Sequence, residues 1–450
     1  MPPARDGDAN ANPAEADRLP AIAAALRAAA RLAGTPAYVT DLAAIDAAGA
    51  ELRAAFPDPW IRQFSVKAND VAAVVGAVTA AAAAGANVVS RGEWAVARAA
   101  GIANAAITLE GIGKTDGDLR AAVRAAADGS PLRWVAVESA DEVAALAGFA
   151  ARAGLGRGAS APPPLDVLFR LNPEVAPETQ PALAVGAGSS KFGMTQAEVA
   201  AAIEMARAAG PGLRPRGIHL HVGSQLGAVD AWRDAVRRAL AVLALLGGNE
   251  PAFDTLDVGG GFPVGPLGEP SPSPARFARE VPALLDTIPP DRRPARLAVE
   301  PGRVVVARAG WLVARVLHVR DRDGPQVVID AGMTELIRPA LYGAVHPIVA
   351  LTSLGRPVDP ASGQATRDAE PAAVHGPICE STDALGVHPL PPLRRGDLVA
   401  IRDAGAYGAS QSSTYNGRPR PPQVVISRDG RPSIVRRRGS LASFGRTAAR

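Results

Sequence analysis

The chain has 450 residues, 48% apolar and 20% charged, with a formal net charge of +4, which is enough for a sizeable core and two or three domains. No apolar run reaches the roughly 18 residues of a membrane span, and a single cysteine excludes an intramolecular disulfide framework and fits a reducing, cytoplasmic setting. Aromatic content of 4% leaves few platforms for stacking bases, and much of the positive excess falls after Arg418, in a stretch carrying Arg436-Arg437-Arg438; it reads as a solvated basic tail, not a nucleic-acid surface.

Met1 to Pro20 is polar, acidic and rich in Ala and Pro, without the basic start and apolar core of a secretory signal. Residues 1–34 are expected to form a flexible lead-in. From about residue 60, strand-like apolar runs alternate with helix-patterned segments, the signature of parallel βα units. Eight such runs are Ile61–Ala68, Ala86–Ser90, Ala105–Gly111, Leu132–Glu138, Leu165–Asn172, Arg216–Gly223, Thr255–Gly260 and Arg296–Gly302. The fold class expected is therefore α/β, a (β/α)8 barrel over residues 35–303, with its site at the C-terminal strand ends. After Arg303 the runs become short and β-like, as in Val304–Val306, Trp311–Val319, Gln326–Ile329, Leu398–Ile401 and Gln423–Ile426. They predict an all-β domain over 304–428, with a polar excursion from Arg356 to Glu370 and a basic flexible tail over 429–450.

Three of the 48 basic residues are lysines: Lys67, Lys114 and Lys191. Lys67 closes the first barrel run, where a desolvated amine can lose its proton and condense with an aldehyde, which a guanidinium cannot do; a surface lysine beside a turn would look the same. His221, in His221-Val222-Gly223-Ser224, ends the sixth run and is either a hydrogen-bonded core residue or a flat surface for an aromatic ring. Gly259-Gly260-Gly261 ends the seventh, where barrels bind phosphate through backbone N–H groups, with Ser224 as a further donor; a tight turn would use the same glycines. Glu300-Pro301-Gly302-Arg303 ends the eighth and offers a structural ion pair or a carboxylate for a pyridine nitrogen. Cys379 is crowded by Glu380, Ser381 and Asp383 and is a small buried hydrophobe or a proton donor. With no second cysteine and no clustered histidine pair, no metal site is expected.

Taken in order, Phe64-Ser65-Val66-Lys67-Ala68-Asn69, Gly111-Ile112-Gly113-Lys114-Thr115-Asp116, Ser190-Lys191-Phe192-Gly193, His221-Val222-Gly223-Ser224-Gln225, the triple glycine, Glu300-Pro301-Gly302-Arg303, Cys379-Glu380-Ser381 and Gly405-Ala406-Tyr407-Gly408 resemble the fold type III pyridoxal-phosphate decarboxylases, and most closely the diaminopimelate branch. The resemblance spans roughly residues 35 to 428. It implies pyridoxal 5'-phosphate as cofactor, an amino-acid substrate, and a homodimer with shared active sites. By the same resemblance Lys67 would attach the cofactor, His221 would stack on its ring, and Glu300 would pair with the pyridine nitrogen. Ser224, Gly260, Gly261, Gly302 and Arg303 would surround the phosphate, with Tyr407 close by. Cys379 of the other subunit would protonate the carbanion. Arg338 and Tyr342, in Glu335-Leu336-Ile337-Arg338-Pro339-Ala340-Leu341-Tyr342, would grip substrate carboxylate beside Arg303 and Tyr407, and Glu380 would read a distal ammonium.

The expected reaction is meso-diaminopimelate to L-lysine and carbon dioxide. Three departures bear on the substrate: the loop Thr179 to Gly186 lacks the branch's usual histidine, Asn87 stands where the family commonly has an acid, and Phe262-Pro263 follows Gly261. Two alternatives are a paralogue decarboxylating another free or carrier-bound amino acid, and a non-catalytic binding homologue, which would have no need to keep both Lys67 and Cys379.

Overall fold

In the computed structural model residues 18–175, 179, 186, 190–247, 252–265, 271–360 and 368–445 are described. These described residues fall into two compact units, one drawn from 49–263 and 272–306, the other from 18–48, 264–265, 271 and 307–445. The chain begins in the second with α1 (Leu19–Ala33) and β1 (Ala37–Asp41), and α2 (Leu42–Ala55) carries it into the first.

The first unit is a closed parallel barrel of β2 (Ile61–Ser65), β3 (Gly85–Val88), β4 (Ile107–Leu109), β5 (Trp134–Val137), β6 (Leu165–Leu171), β7 (Leu213–Leu220), β8 (Thr255–Asp257) and β9 (Arg296–Val299). The ring closes where Ile61 pairs with Ala298 and Arg62 with Val299. All eight predicted runs are strands of this barrel, because strands covered on both faces read as continuous apolar stretches. The crossovers are α3 (Ala72–Ala82), α4 (Arg91–Ala99), α5 (Asp116–Ala127), α6 (Ala140–Arg152), α7 (Gln196–Ala208) and α8 (Asp230–Gly247). Their starts are written locally. Ser90 and Ser139 accept the N–H of Glu93 and Glu142, and Thr115 with Asp118 and Thr195 with Glu198 close reciprocal capping boxes. Phe262, one of the sequence departures, packs between Phe56 and Phe277 at centroid distances of 5.5 and 5.2 Å; it anchors the loop after β8 by packing alone.

The second unit is built on a sheet in which β10 (Gly310–Asp321) pairs with β1, with β11 (Pro325–Ile329) and with a strand at Leu398–Ile401. Strand β1 also runs parallel to Gln423–Ile426. The unit departs from the expected boundaries in several places. Residues 19–33, assigned to the lead-in, form a helix that buries Leu19, Ile22, Leu26 and Ala30 against Trp311, Val313 and Val424. Ala37–Asp41, assigned to the barrel domain, is a central strand of this sheet. Val304–Val306 lies in a one-turn helix, not a strand. Pro432–Arg436, within the expected tail, pairs antiparallel with Gln423–Ile426. The strands Ile348–Ala350, Glu370–His375 and Ala384–Leu390 were not anticipated; prolines at 371 and 389 and the exposure of alternate residues break the apolar runs.

Candidate active site

Lys67 lies just past the end of β2, in a single 3-10 turn (Val66–Ala68) at the C-terminal mouth of the barrel, and its side chain is half-buried. Glu93 of α4 stands near enough for the lysine's charge to oppose the upward push that burial gives its carboxyl. Three strands round the ring, just past β7, His221 is held well below its ordinary pKa by burial and then by the neighbouring charge of Lys67. The imidazole is therefore neutral, and its Nδ1 accepts the Gly260 N–H at 3.2 Å, so the proton sits on Nε2.

Each glycine of the triple has a steric reason. A Cβ on Gly259 would lie 2.4 Å from the Leu220 carbonyl, on Gly260 2.2 Å from the Glu300 carbonyl, and on Gly261 2.5 Å from the Gly223 carbonyl, and Gly259 and Gly261 have φ of +68° and +99°. The Gly259 N–H donates to Asp257 at 2.9 Å, and the Gly260 N–H is taken by His221. An anion at this turn is thus met at the Gly261 end, where the Arg303 guanidinium also donates to Ser224 Oγ at 3.0 Å. Gly302 allows β9 to close on β2, since a Cβ there would stand 3.1 Å from Ser65 Cβ. Gly260→Ala is expected to force the ends of β8 and β9 apart, to lower the melting temperature and to weaken binding of an anionic ligand about tenfold or more, roughly the effect of a small core overpacking; calorimetry and ligand titration check this.

Beneath the mouth lies a buried polar cluster that sequence reasoning missed. Glu110 at the end of β4, His219 on β7 and Glu300 place one ligand atom each within 4.8 Å of one another. His219 Nε2 is 3.1 Å from Glu300 Oε1 and 3.4 Å from Glu110 Oε2. Asn87, the second departure, donates to Glu110 Oε2 at 2.6 Å, and Trp134 Nε1 to Oε1 at 3.3 Å. Burial, then Glu300, pushes Glu110 up to about 8, and burial pushes His219 down to about 4. Asp257 is also raised, by burial and then by Glu300 and Glu110. The available signal was the spacing of His219 and His221: two residues apart in one extended run, they are expected on the same side. Acids at the ends of β4 and β8 were the other signal. The sequence reading expected no metal site, and these three ligand atoms are near enough to one another to hold one.

In the other unit, Arg338 is buried at the start of the one-turn helix Arg338–Tyr342, its Nε donating to His346 Nε2 at 3.3 Å and its guanidinium 5.6 Å from the Tyr342 ring centroid. Cys379 is exposed, which removes the reading of a small buried hydrophobe, and Asn416 Nδ2 approaches its sulfur at 3.5 Å. The loop owes its shape to Asp383, a buried carboxylate that accepts the N–H groups of Met333 at 2.5 Å and Ile378 at 2.7 Å. Glu380, also exposed, accepts from the Tyr415 hydroxyl and thereby raises its pKa. Tyr407 is held at φ +57°, a left-handed conformation uncommon for a bulky residue and frequent where a side chain must be aimed. In the altered loop, Thr179 Oγ1 donates to the Ser224 carbonyl at 2.6 Å; residues 180–185 lie outside the described ones.

A family model described as the pyridoxal-dependent decarboxylase, pyridoxal binding domain, matches residues 42–307. A diaminopimelate decarboxylase of Vibrio cholerae is 34% identical over 91% of this chain and 92% of its own length, and one of Deinococcus radiodurans is 36% identical over 89% and 92%. Among solved structures, a diaminopimelate decarboxylase of M. jannaschii in co-complex with L-lysine is similar with a TM-score of 0.81, at 28% identity, covering 93% of both chains.

Proposed function

We propose a reaction from one premise: this chain belongs to the pyridoxal-dependent decarboxylase family. It is a pyridoxal-phosphate-dependent carboxy-lyase, and the substrate is meso-diaminopimelate, converted to L-lysine and carbon dioxide. The observation that carries the reading is the coincidence of Lys67, His221, Gly261, Ser224, Arg303 and Glu300 on one barrel unit with relatives that are diaminopimelate decarboxylases over nine-tenths of the chain.

The residues fit the cofactor. Glu300 is 4% exposed and its Oε1 has no well-aligned hydrogen-bond donor among the described residues, an arrangement that calls for a cationic partner. The bare glycine turn beside Ser224 and Arg303 suits a phosphate. When bound, pyridoxal phosphate supplies a sink for the electron pair released as carbon dioxide leaves. Lys67 would hold its aldehyde carbon. His221, neutral and fixed by the Gly260 N–H, would lie against the ring without adding charge, while Glu300 would favour a protonated ring nitrogen. Ser224, Gly261, Gly302 and Arg303 would neutralise the phosphate.

The β unit would supply the substrate groups. Arg338, Tyr342 and Tyr407 would bind carboxylate and Glu380 the distal ammonium; Arg303, on the barrel unit, would bind carboxylate as well. Cys379, an exposed thiol on a loop pinned by Asp383, would deliver the proton to the carbon that has lost carboxylate, and in a homodimer each such loop would serve the facing subunit's barrel. A cytoplasmic setting is in keeping with a free thiol in that role.

Purified protein loaded with cofactor should release carbon dioxide from meso-diaminopimelate and form lysine in equal amounts; release from a different diamino acid in its place would assign the paralogue reading. Glu380→Gln should lower kcat/KM for diaminopimelate about ten- to a hundredfold, the effect of a charge-assisted hydrogen bond on the order of 1.5–3 kcal/mol, with cofactor affinity unchanged. An unaltered kcat/KM would leave Tyr415 as the partner of Glu380 and remove it from substrate recognition.

A further inference from the structure

We propose that His346 is a positioning residue for Arg338: a neutral imidazole whose Nε2 lone pair takes the Arg338 Nε–H and so aims the guanidinium at the carboxylate it binds. The inference rests on the carboxylate role given to Arg338 above. The chain brings the two residues together by a short reversal. Arg338 opens a one-turn helix that Gly343 closes, at φ +63° and with its N–H on the Pro339 carbonyl at 2.9 Å. The Ala344 N–H returns to the Arg338 carbonyl at 3.3 Å. Val345 is exposed at this turn, and His346 is buried again, as Arg338 is.

Strand pairing fixes the ring from the other side. Ile348–Ala350 runs antiparallel to Leu398–Ile401, with Ile348 opposite Ile401. The pairing carries on into Arg402, whose N–H donates to the Pro347 carbonyl at 2.8 Å and whose own carbonyl lies 3.0 Å from His346 Nδ1. A carbonyl can only accept, so Nδ1 carries the proton. A guanidinium can only donate, so Nε2, 3.3 Å from Arg338 Nε, carries the lone pair. Both contacts select the same tautomer of the neutral ring. That tautomer suits an arginine that must bind an anion. A carboxylate on Nε would orient the guanidinium and also cancel its charge, whereas an imidazole orients it and leaves the charge intact. Tyr342, one helical turn on from Arg338, sets its ring centroid 5.6 Å from the guanidinium carbon, and the Arg402 guanidinium lies over the Trp311 ring at 5.0 Å.

The test uses the full-length holoenzyme and the amino acid that the wild type decarboxylates, meso-diaminopimelate by the reading above, with thermal melts to check folding. Glutamine places its amide oxygen near the imidazole's Nε2 and asparagine its amide nitrogen near Nδ1, so each keeps one contact and loses the other. His346→Gln should keep kcat/KM within about threefold of wild type. His346→Asn should lower it about tenfold, mostly through KM, since the guanidinium meets the carboxylate in the ground state as well as in the transition state. Arg338→Gln alone should lower kcat/KM about ten- to a hundredfold. Adding His346→Asn to it should cost less than about twofold more, because a residue that acts through Arg338 has then nothing to position. A purely structural tie to the Arg402 carbonyl gives the reverse order, asparagine active and glutamine impaired, and that result would overturn the proposal. So would equal kcat/KM in the two variants, at the wild-type level or below it, or a full tenfold asparagine loss in the Arg338→Gln background. Should His346→Asn fail to fold, His346→Gln decides alone: folded protein with kcat/KM well below wild type sinks the proposal. An Arg338→Gln variant with unaltered kcat/KM would overturn the carboxylate reading of Arg338 instead.

Discussion

Lys67→Ala is expected to abolish decarboxylation and, together with it, the visible absorbance of the lysine-linked cofactor. The other two lysines cannot substitute. Lys114 has a fully buried side chain held by Glu142 at 2.9 Å and by the Gly111 carbonyl, and Lys191 lies exposed beside Phe192, its Nζ 5.3 Å from that ring centroid. Lys67→Arg should fail equally, since a guanidinium keeps its charge and does not condense with an aldehyde. Nucleophilic catalysis has no fallback once the nucleophile is gone, so turnover should drop by several orders of magnitude. A variant that retained both colour and carbon dioxide release would remove Lys67 from the chemistry.

Cys379→Ala should slow turnover by about a hundred- to ten-thousandfold, the range for loss of a positioned general acid, while absorbance of the bound cofactor persists. Removing the thiol leaves Asp383 with its contacts to Met333 and Ile378, so the loop itself should survive; unchanged melting temperature would check this. Mixed dimers of Lys67→Ala and Cys379→Ala subunits should recover part of the activity, because one of the two sites would then carry both residues. Verified mixed dimers with no recovery would argue that each subunit completes its own site.

The barrel was legible because its strands are short and buried, and four of them are followed by a cap residue: Ser90, Thr115, Ser139 and Thr195 punctuate the sequence where a helix begins. The strand ends then gathered the candidate residues, and Lys67, His221, Gly261 and Glu300 could be named from position. The β unit was less legible for a topological reason. Strand β1 pairs with residues 310–313 and 423–426, and no local pattern in five residues announces partners that distant. The Glu110–His219–Glu300 cluster escaped for a different reason: acids and imidazoles inside a barrel interrupt the apolar pattern by only one residue each, and their meaning appears when β4, β7 and β9 are brought side by side. Asn87 shows the same point, since its role becomes visible once its amide is seen on Glu110.

The scarcity of lysine has a practical outcome for anyone handling the protein. Amine-directed reagents meet three side chains here, of which Lys114 is sealed by its ion pair and Lys67 would be shielded by the very group it holds. Among side-chain amines, acylation of the holoenzyme should therefore fall on Lys191, beside the chain's α-amine, and release of the cofactor would open one more at Lys67. The labelling stoichiometry would thus count occupied sites without any assay of turnover.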